Sequence, residues 1–172
     1  MNNQTQREIV INEYNPHWST MFQHEAGLIQ QHLAENCLNI WHIGSTSVPG
    51  LVAKPIIDIV VAVKDISRLD SDRDCLQSLN YMAMGEHGIQ GRRFFWKTPQ
   101  KRSFHLHIFE ENNEEITRYI AFRDYLCQNP HVANAYGAIK QALAKQFPNN
   151  IDDYVTGKDS FIRSISYWAG VA

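Results

Sequence analysis

Residues 41–63 read WHIGSTSVPGLVAKPIIDIVVAV, and the reading of this stretch decides the fold. A strand-forming run stops at His42-Ile43-Gly44-Ser45, a loop follows, and a second run, Ile56-Ile57-Asp58-Ile59-Val60-Val61, resumes around a single carboxylate. The nearly unbroken apolar character of 56–63 predicts a strand buried on both faces of a sheet, with 39–43 as the strand before it. Side chains alternate along a strand, so Asp58 emerges with Ile56 and Val60 on a surface that otherwise excludes water. An ionised carboxylate resists burial unless something pairs with it. Two readings follow: Asp58 meets a metal ion or a fixed cationic partner at a site, or it is a structural residue paired with Lys54 or an arginine.

Outward from this stretch, Glu8-Ile9-Val10-Ile11 predicts a short strand, and Asn15-Pro16 a helix cap with proline at the first helical position. Trp18, Phe22, Ile29 and Leu33 mark that helix's buried face. Asp65 can cap a helix running to Leu79, and Gly85, Gly88 and Gly91 mark a mobile turn region. Arg92 to Trp96 and Phe104 to Phe109 predict two strands of a hairpin joined through Thr98-Pro99-Gln100. From Glu114 onward the pattern is helical, broken at Asn129-Pro130 and resuming for a last helix over 151–169. Strands first and helices last predict an α+β fold with a mixed or antiparallel sheet, rather than regularly alternating βαβ units.

The chain has 172 residues, 44% of them hydrophobic, and no repeat, low-complexity tract or linker, so residues 1–172 are treated as one domain. A net charge of −2 gives no global attraction for nucleic acid or anionic membranes, so any anion affinity must be local. Cys37, Cys75 and Cys127 form neither a disulfide framework nor a CxxC pair, which suits a reducing compartment. The start MNNQTQREIV has no apolar signal core, and no run approaches the roughly 18 apolar residues of a membrane span. A soluble cytoplasmic protein is expected.

Several residues are candidates for chemistry. Gly44-Ser45 follows the first core strand, where glycine permits close backbone approach to an anion; Ser45, Thr46 and Ser47 add hydroxyls, and Lys54 lies at the far end of the same loop. His105-Leu106-His107 places two imidazoles on one strand face, a donor type that suits divalent transition metals, although such pairs also occur as hydrogen-bonding core residues. In RRFFWKTPQKR, residues 92–102, Arg92, Arg93, Lys97, Lys101 and Arg102 interleave with aromatics, the composition of a single-stranded RNA contact or of a hairpin with its rings in the core. Alternation sets Arg92 and Phe94 on the opposite face from Arg93 and Phe95, so at best half of them line a site. Arg123 and Lys158 on the C-terminal helices can reach the sheet's ligand face or serve structural pairs.

Together, HIGSTSVPGLVAKPIIDIVV at 42–61, HLHIF at 105–109, FRDYL at 122–126 and YVTGKDSFI at 154–162 make the sequence similar to the GrpB family, for which the resemblance implies a nucleotidyltransferase-like fold. The resemblance implies a mixed sheet with flanking helices, phosphates of a nucleotide or other phosphorylated small molecule at Gly44, Ser45 and Thr46, and neutralisation by Lys54 and one of Arg92 or Arg93. It also implies metal-binding carboxylates on strands. Asp58 matches the first of these, as the catalytic residue, but the second acidic position of the wider superfamily is Val60 here, and the strand at 104–109 offers His105 and His107 in place of a third. The implied cofactor is therefore one divalent cation held by Asp58, His105 and His107, with Mn²⁺ or Zn²⁺ suited to the histidines better than Mg²⁺. The implied activity is nucleotidyl transfer to an acceptor; the alternative is a non-catalytic nucleotide-binding or regulatory module. Membrane association is not expected, and nucleic acid is the least favoured partner.

Overall fold

The two apolar runs around the opening loop form adjacent antiparallel strands, β1 (Cys37–Ile43) and β2 (Ile57–Val63), with Ile43 opposite Asp58. The computed structural model describes residues 8–71, 76–97 and 104–171. Three further strands, β3 (Tyr81–Ala83), β4 (Arg93–Lys97) and β5 (Phe104–Glu110), complete a sheet in the order β1-β2-β5-β4-β3. β2 and β5 run parallel and the other neighbours antiparallel, so the sheet is mixed, as expected for α+β. A parallel pair requires a long crossover, and the chain between β2 and β5 uses it to add β3 and β4 at the far edge.

Both faces of β2 are covered, which accounts for its apolar run. Ile57, Ile59 and Val61 join Leu106, Ile108 and Phe95 against α1 (His17–Leu33), where Trp18 and Ile29 are buried. Each such side chain contributes about 1.5–3 kcal/mol by leaving water. On the opposite face Val60 and Ala62 pack with Ile43, Phe109 and Ile116, the last on α3 (Glu114–Gln128). Asn113 caps α3 by accepting the Glu115 N–H, and Asn150 does the same for Asp153 at the start of α5 (Ile151–Trp168). Between them, α4 (Pro130–Gln146) crosses α5 closely at Gly157, where an added Cβ would collide with Leu143. These helices close over the loop after β1 through Val48, Leu51, Leu126, Tyr136 and Ile165.

The structure departs from the sequence expectations in three places. Residues 8–11 form no strand: Ile9 N–H bonds to the Pro148 carbonyl, and Asn12 makes a single bridge to Ala53, because their partners are loops with no ladder to extend. The helix expected from Asp65 to Leu79 is a short α2 (Ser67–Ser71), which Asp65 does cap, followed by a 3₁₀ turn at Gln77–Leu79. Residues 72–75, including Cys75, lie outside the described residues, as do Thr98-Pro99-Gln100, Lys101 and Arg102. β3 was not anticipated; its three residues are too few to show alternation. Among the described residues no helix is long and apolar enough to cross a membrane.

Candidate functional site

The cleft lies at the end of the sheet where β1 stops and β2 and β5 begin. Parallel register sets Asp58 beside His105, and β1 delivers Gly44 against the same carboxylate. Gly44 has φ 69 and ψ −173, a backbone region that essentially only glycine occupies. A Cβ there would stand 2.6 Å from Asp58 Oδ2. The missing side chain thus serves twice, for the turn and for the carboxylate.

Asp58 Oδ1 accepts from His105 Nδ1 at 3.2 Å and lies 3.7 Å from His107 Nε2. Burial opposes the charge on Asp58, but hydrogen bonds from His105 and then His107 outweigh it, holding its carboxyl well below the usual range. Behind His107 sits buried Arg92, whose guanidinium donates to the Glu86 and His87 carbonyls and to His107 Nδ1 at 3.3 Å. Arginine can only donate, so His107 Nδ1 must accept, and in a neutral ring the proton is then on Nε2, facing Asp58. Burial first, and the Arg92 charge with it, lower the His107 pKa against the pull of Asp58. We therefore predict that ¹⁵N-detected NMR at about pH 8 finds His107 as the neutral Nε2–H tautomer, with its titration displaced below that of a free imidazole; an Nδ1–H signal would refute the arrangement.

Asp58, His105 and His107 meet, as alternation suggested, but they meet each other rather than surrounding a common point. Among the described residues no group of three or more His, Cys, Asp or Glu side chains is placed to hold a metal ion. A cation on His107 Nε2 would require the proton to move to Nδ1, directly facing the Arg92 guanidinium. The donor set does not fit the implied cation.

The cleft itself encloses about 450 Å³. Three lysines converge on it from different elements: Lys54 from the loop, Lys140 from α4 and Lys158 from α5. Lys54 and Lys158 lie 5.2 and 4.5 Å from the Tyr154 ring centre, and Lys140 lies 4.7 Å from that of Tyr136. Lys140 is only 2% exposed and donates to the Val52 carbonyl. Burial, then the charges of Lys158 and Lys54, push its ammonium down to about 7; burial and Lys54 push Lys158 down to about 8, against Asp58 and Asp159. The cleft's carboxylates are Asp58 and Glu115, and Glu115 is held by Arg118 at 2.6 Å.

The other nominated residues divide between the cleft and the rest of the fold. Gly44, Ser45 and Thr46 line the cleft, yet the Thr46 hydroxyl is 3.0 Å from His42 Nε2 and the Ser47 hydroxyl donates to the Gly44 carbonyl. His42 stacks on Phe22, and burial pushes its pKa down to about 4, so it stays neutral. Arg92 does not line the cleft, because its donors are taken by the turn carbonyls and His107. Arg93 sits on the opposite face, bidentate to Asp70 at 2.5 and 2.6 Å. Phe94 and Phe95 are buried and Lys97 pairs with Glu25 at 2.6 Å, so the described part of 92–102 is a strand with these rings in the core rather than a stacking platform. Arg123 bonds Asp124 and the His42 carbonyl, not Asp58.

Lys140 and the two tyrosines were missed by sequence reasoning. The signal was present as Tyr136-x-x-x-Lys140 and Tyr154-x-x-x-Lys158, each placing a cation one turn beyond an aromatic on a helix's inner face.

Sheet order, helical C-terminal part and lysine-lined cleft define a mixed α+β protein with a cleft at the sheet's end. The profile described as "GrpB protein" matches residues 8–167, and the chain belongs to that family. The crystal structure of the conserved protein GrpB from Enterococcus faecalis is 46% identical and superposes with a TM-score of 0.89, covering 93% of this chain and 96% of that one. Glutamate-rich protein GrpB of Alkalihalophilus pseudofirmus is 31% identical over 165 residues, 92% of this chain and 94% of that protein. UPF0157 protein YqkA of Bacillus subtilis is 38% identical over 158 residues, 92% of this chain, which spans only 46% of YqkA.

Proposed function

We propose that the cleft binds a nucleotide, or another phosphorylated small molecule, through a polyphosphate group. The observation that carries this reading is the convergence of Lys54, Lys140 and Lys158. Three ammonium groups gathered in one cleft repel, Lys140 the most because it is also buried, and a polyanion is the ligand that offsets both the repulsion and that desolvation. Lys54, Lys140 and Lys158 take the phosphates, the Gly44-Ser45-Thr46 turn borders them, and Tyr136, Phe122 and Ile162 form the apolar wall for the remainder of the ligand. The family's nucleotidyltransferase-like character points to a nucleoside triphosphate.

Nucleotidyl transfer would be attack of an acceptor oxygen on the α-phosphorus, with pyrophosphate leaving. One observation favours binding without transfer: β2 and β5 bring a single carboxylate, Asp58, to the cleft. Pyrophosphate release from ATP across a panel of acceptors separates the two.

Thermal unfolding tests the binding reading with ATP, ADP, AMP and inorganic triphosphate. A ligand at about 100 times its Kd adds roughly 2.7 kcal/mol, a rise of roughly 5–10 °C for a chain of this size. The expected order is triphosphate above diphosphate above monophosphate. No shift with any of them would remove the reading.

A further inference from the structure

The nucleotidyltransferase-like resemblance implies divalent cations that carry the charge of the triphosphate. We propose instead that this cleft takes its polyphosphate without a bound divalent cation: the ammonium groups of Lys54, Lys140 and Lys158 supply the compensating charge, and Asp58 serves to fix His105 and His107. This rests on the phosphate-binding reading above and specifies its chemistry.

Three observations on different residues agree. Asp58 Oδ1 already accepts from His105 with His107 close by, which leaves Oδ2 for a cation, one oxygen where a dication needs several. His107 has its Nδ1 lone pair directed at Arg92, and its Nε2 proton at Asp58, which leaves no ring lone pair for a metal. Glu115, the other carboxylate of the cleft, is committed to Arg118. Mg²⁺ demands several oxygen ligands, and an arriving dication would also meet the field of the three lysines.

The test is calorimetric titration of ATP into the wild-type chain in EDTA and in excess Mg²⁺, with Mn²⁺ alone as a separate arm read by electron paramagnetic resonance. ATP should bind in EDTA at least as tightly as with Mg²⁺, because free ATP offers the lysines more charge, and Mn²⁺ alone should show no stoichiometric site. Asp58→Asn should tighten ATP binding roughly threefold by removing a like charge near the phosphates. Binding tenfold tighter with Mg²⁺, or a stoichiometric Mn²⁺ site, would overturn the inference while leaving the phosphate reading in place. Loss of ATP binding in a folded Asp58→Asn chain would do the same. If Asp58→Asn does not fold, the two wild-type arms decide. Absence of ATP binding under every condition would instead remove the phosphate reading, and this inference with it.

Discussion

Gly44→Ala is expected to lose about 3–5 kcal/mol of folding stability and to lower the unfolding midpoint by roughly 10 °C. Two costs combine. A side chain at φ 69, ψ −173 is strained wherever it occurs, and here its Cβ would stand 2.6 Å from Asp58 Oδ2. Moving the carboxylate away breaks its bond to His105, leaving a charge without its partner. Gly50→Ala separates the two costs, because Gly50 also has positive φ, 78, but open space where the Cβ would go. It should lose only the backbone share, about 1–2 kcal/mol. Combining Gly44→Ala with Asp58→Ala should cost less than the sum of the two, as coupled neighbours do. Equal losses for Gly44→Ala and Gly50→Ala would mean that the carboxylate is not held against the turn.

The second large effect concerns the lysines and pH. Burial and mutual repulsion push Lys140 down to about 7 and Lys158 down to about 8, against a usual value near 10.4 for an unfolded chain. Between those values the unfolded chain holds protons that the folded chain has released, so these lysines make stability rise with pH from about 7 towards 10. A bound polyphosphate raises both values again. ATP binding at about pH 8 should therefore take up protons, and affinity should fall as pH rises through and above 8. Calorimetry in buffers of different ionisation heat measures the uptake directly. Lys140→Met with Lys158→Met should abolish the uptake and weaken ATP at least about 100-fold, as loss of two charge-assisted contacts predicts. Unchanged affinity in the double variant would place the phosphates elsewhere.

How much of this was legible in the sequence follows the range of each interaction. The strand–turn–strand around Gly44 and Asp58 is written locally, as are the helix stops at Asn-Pro and the alternation that puts His105 and His107 on one face. Alternation also separated Arg92 from Arg93 correctly. It could not tell that Arg92 would be absorbed by the 84–92 turn and His107, because that depends on where the turn folds back. The helix expected through Leu79 followed from leucine spacing alone, whereas the described residues hold a helix at Ser67–Ser71 and a 3₁₀ turn at Gln77–Leu79. The lysine cluster was the least legible part: Lys54, Lys140 and Lys158 are far apart in sequence, and only the packing of α4 and α5 over the loop brings them together.

The parallel pairing of β2 with β5 has a consequence for how the chain acquires its cleft. β1 and β2 can pair through a short connection, but Asp58 and His105 are 47 positions apart and meet only when the sheet's long crossover closes, the entropically expensive step in such a topology. A chain caught before that closure has a hairpin, a strained turn and an exposed carboxylate, and no place to put a ligand. The proposed phosphate binding would therefore report on completed folding, as sensitive to a defect in distant β3 or β4 as to one in the cleft itself.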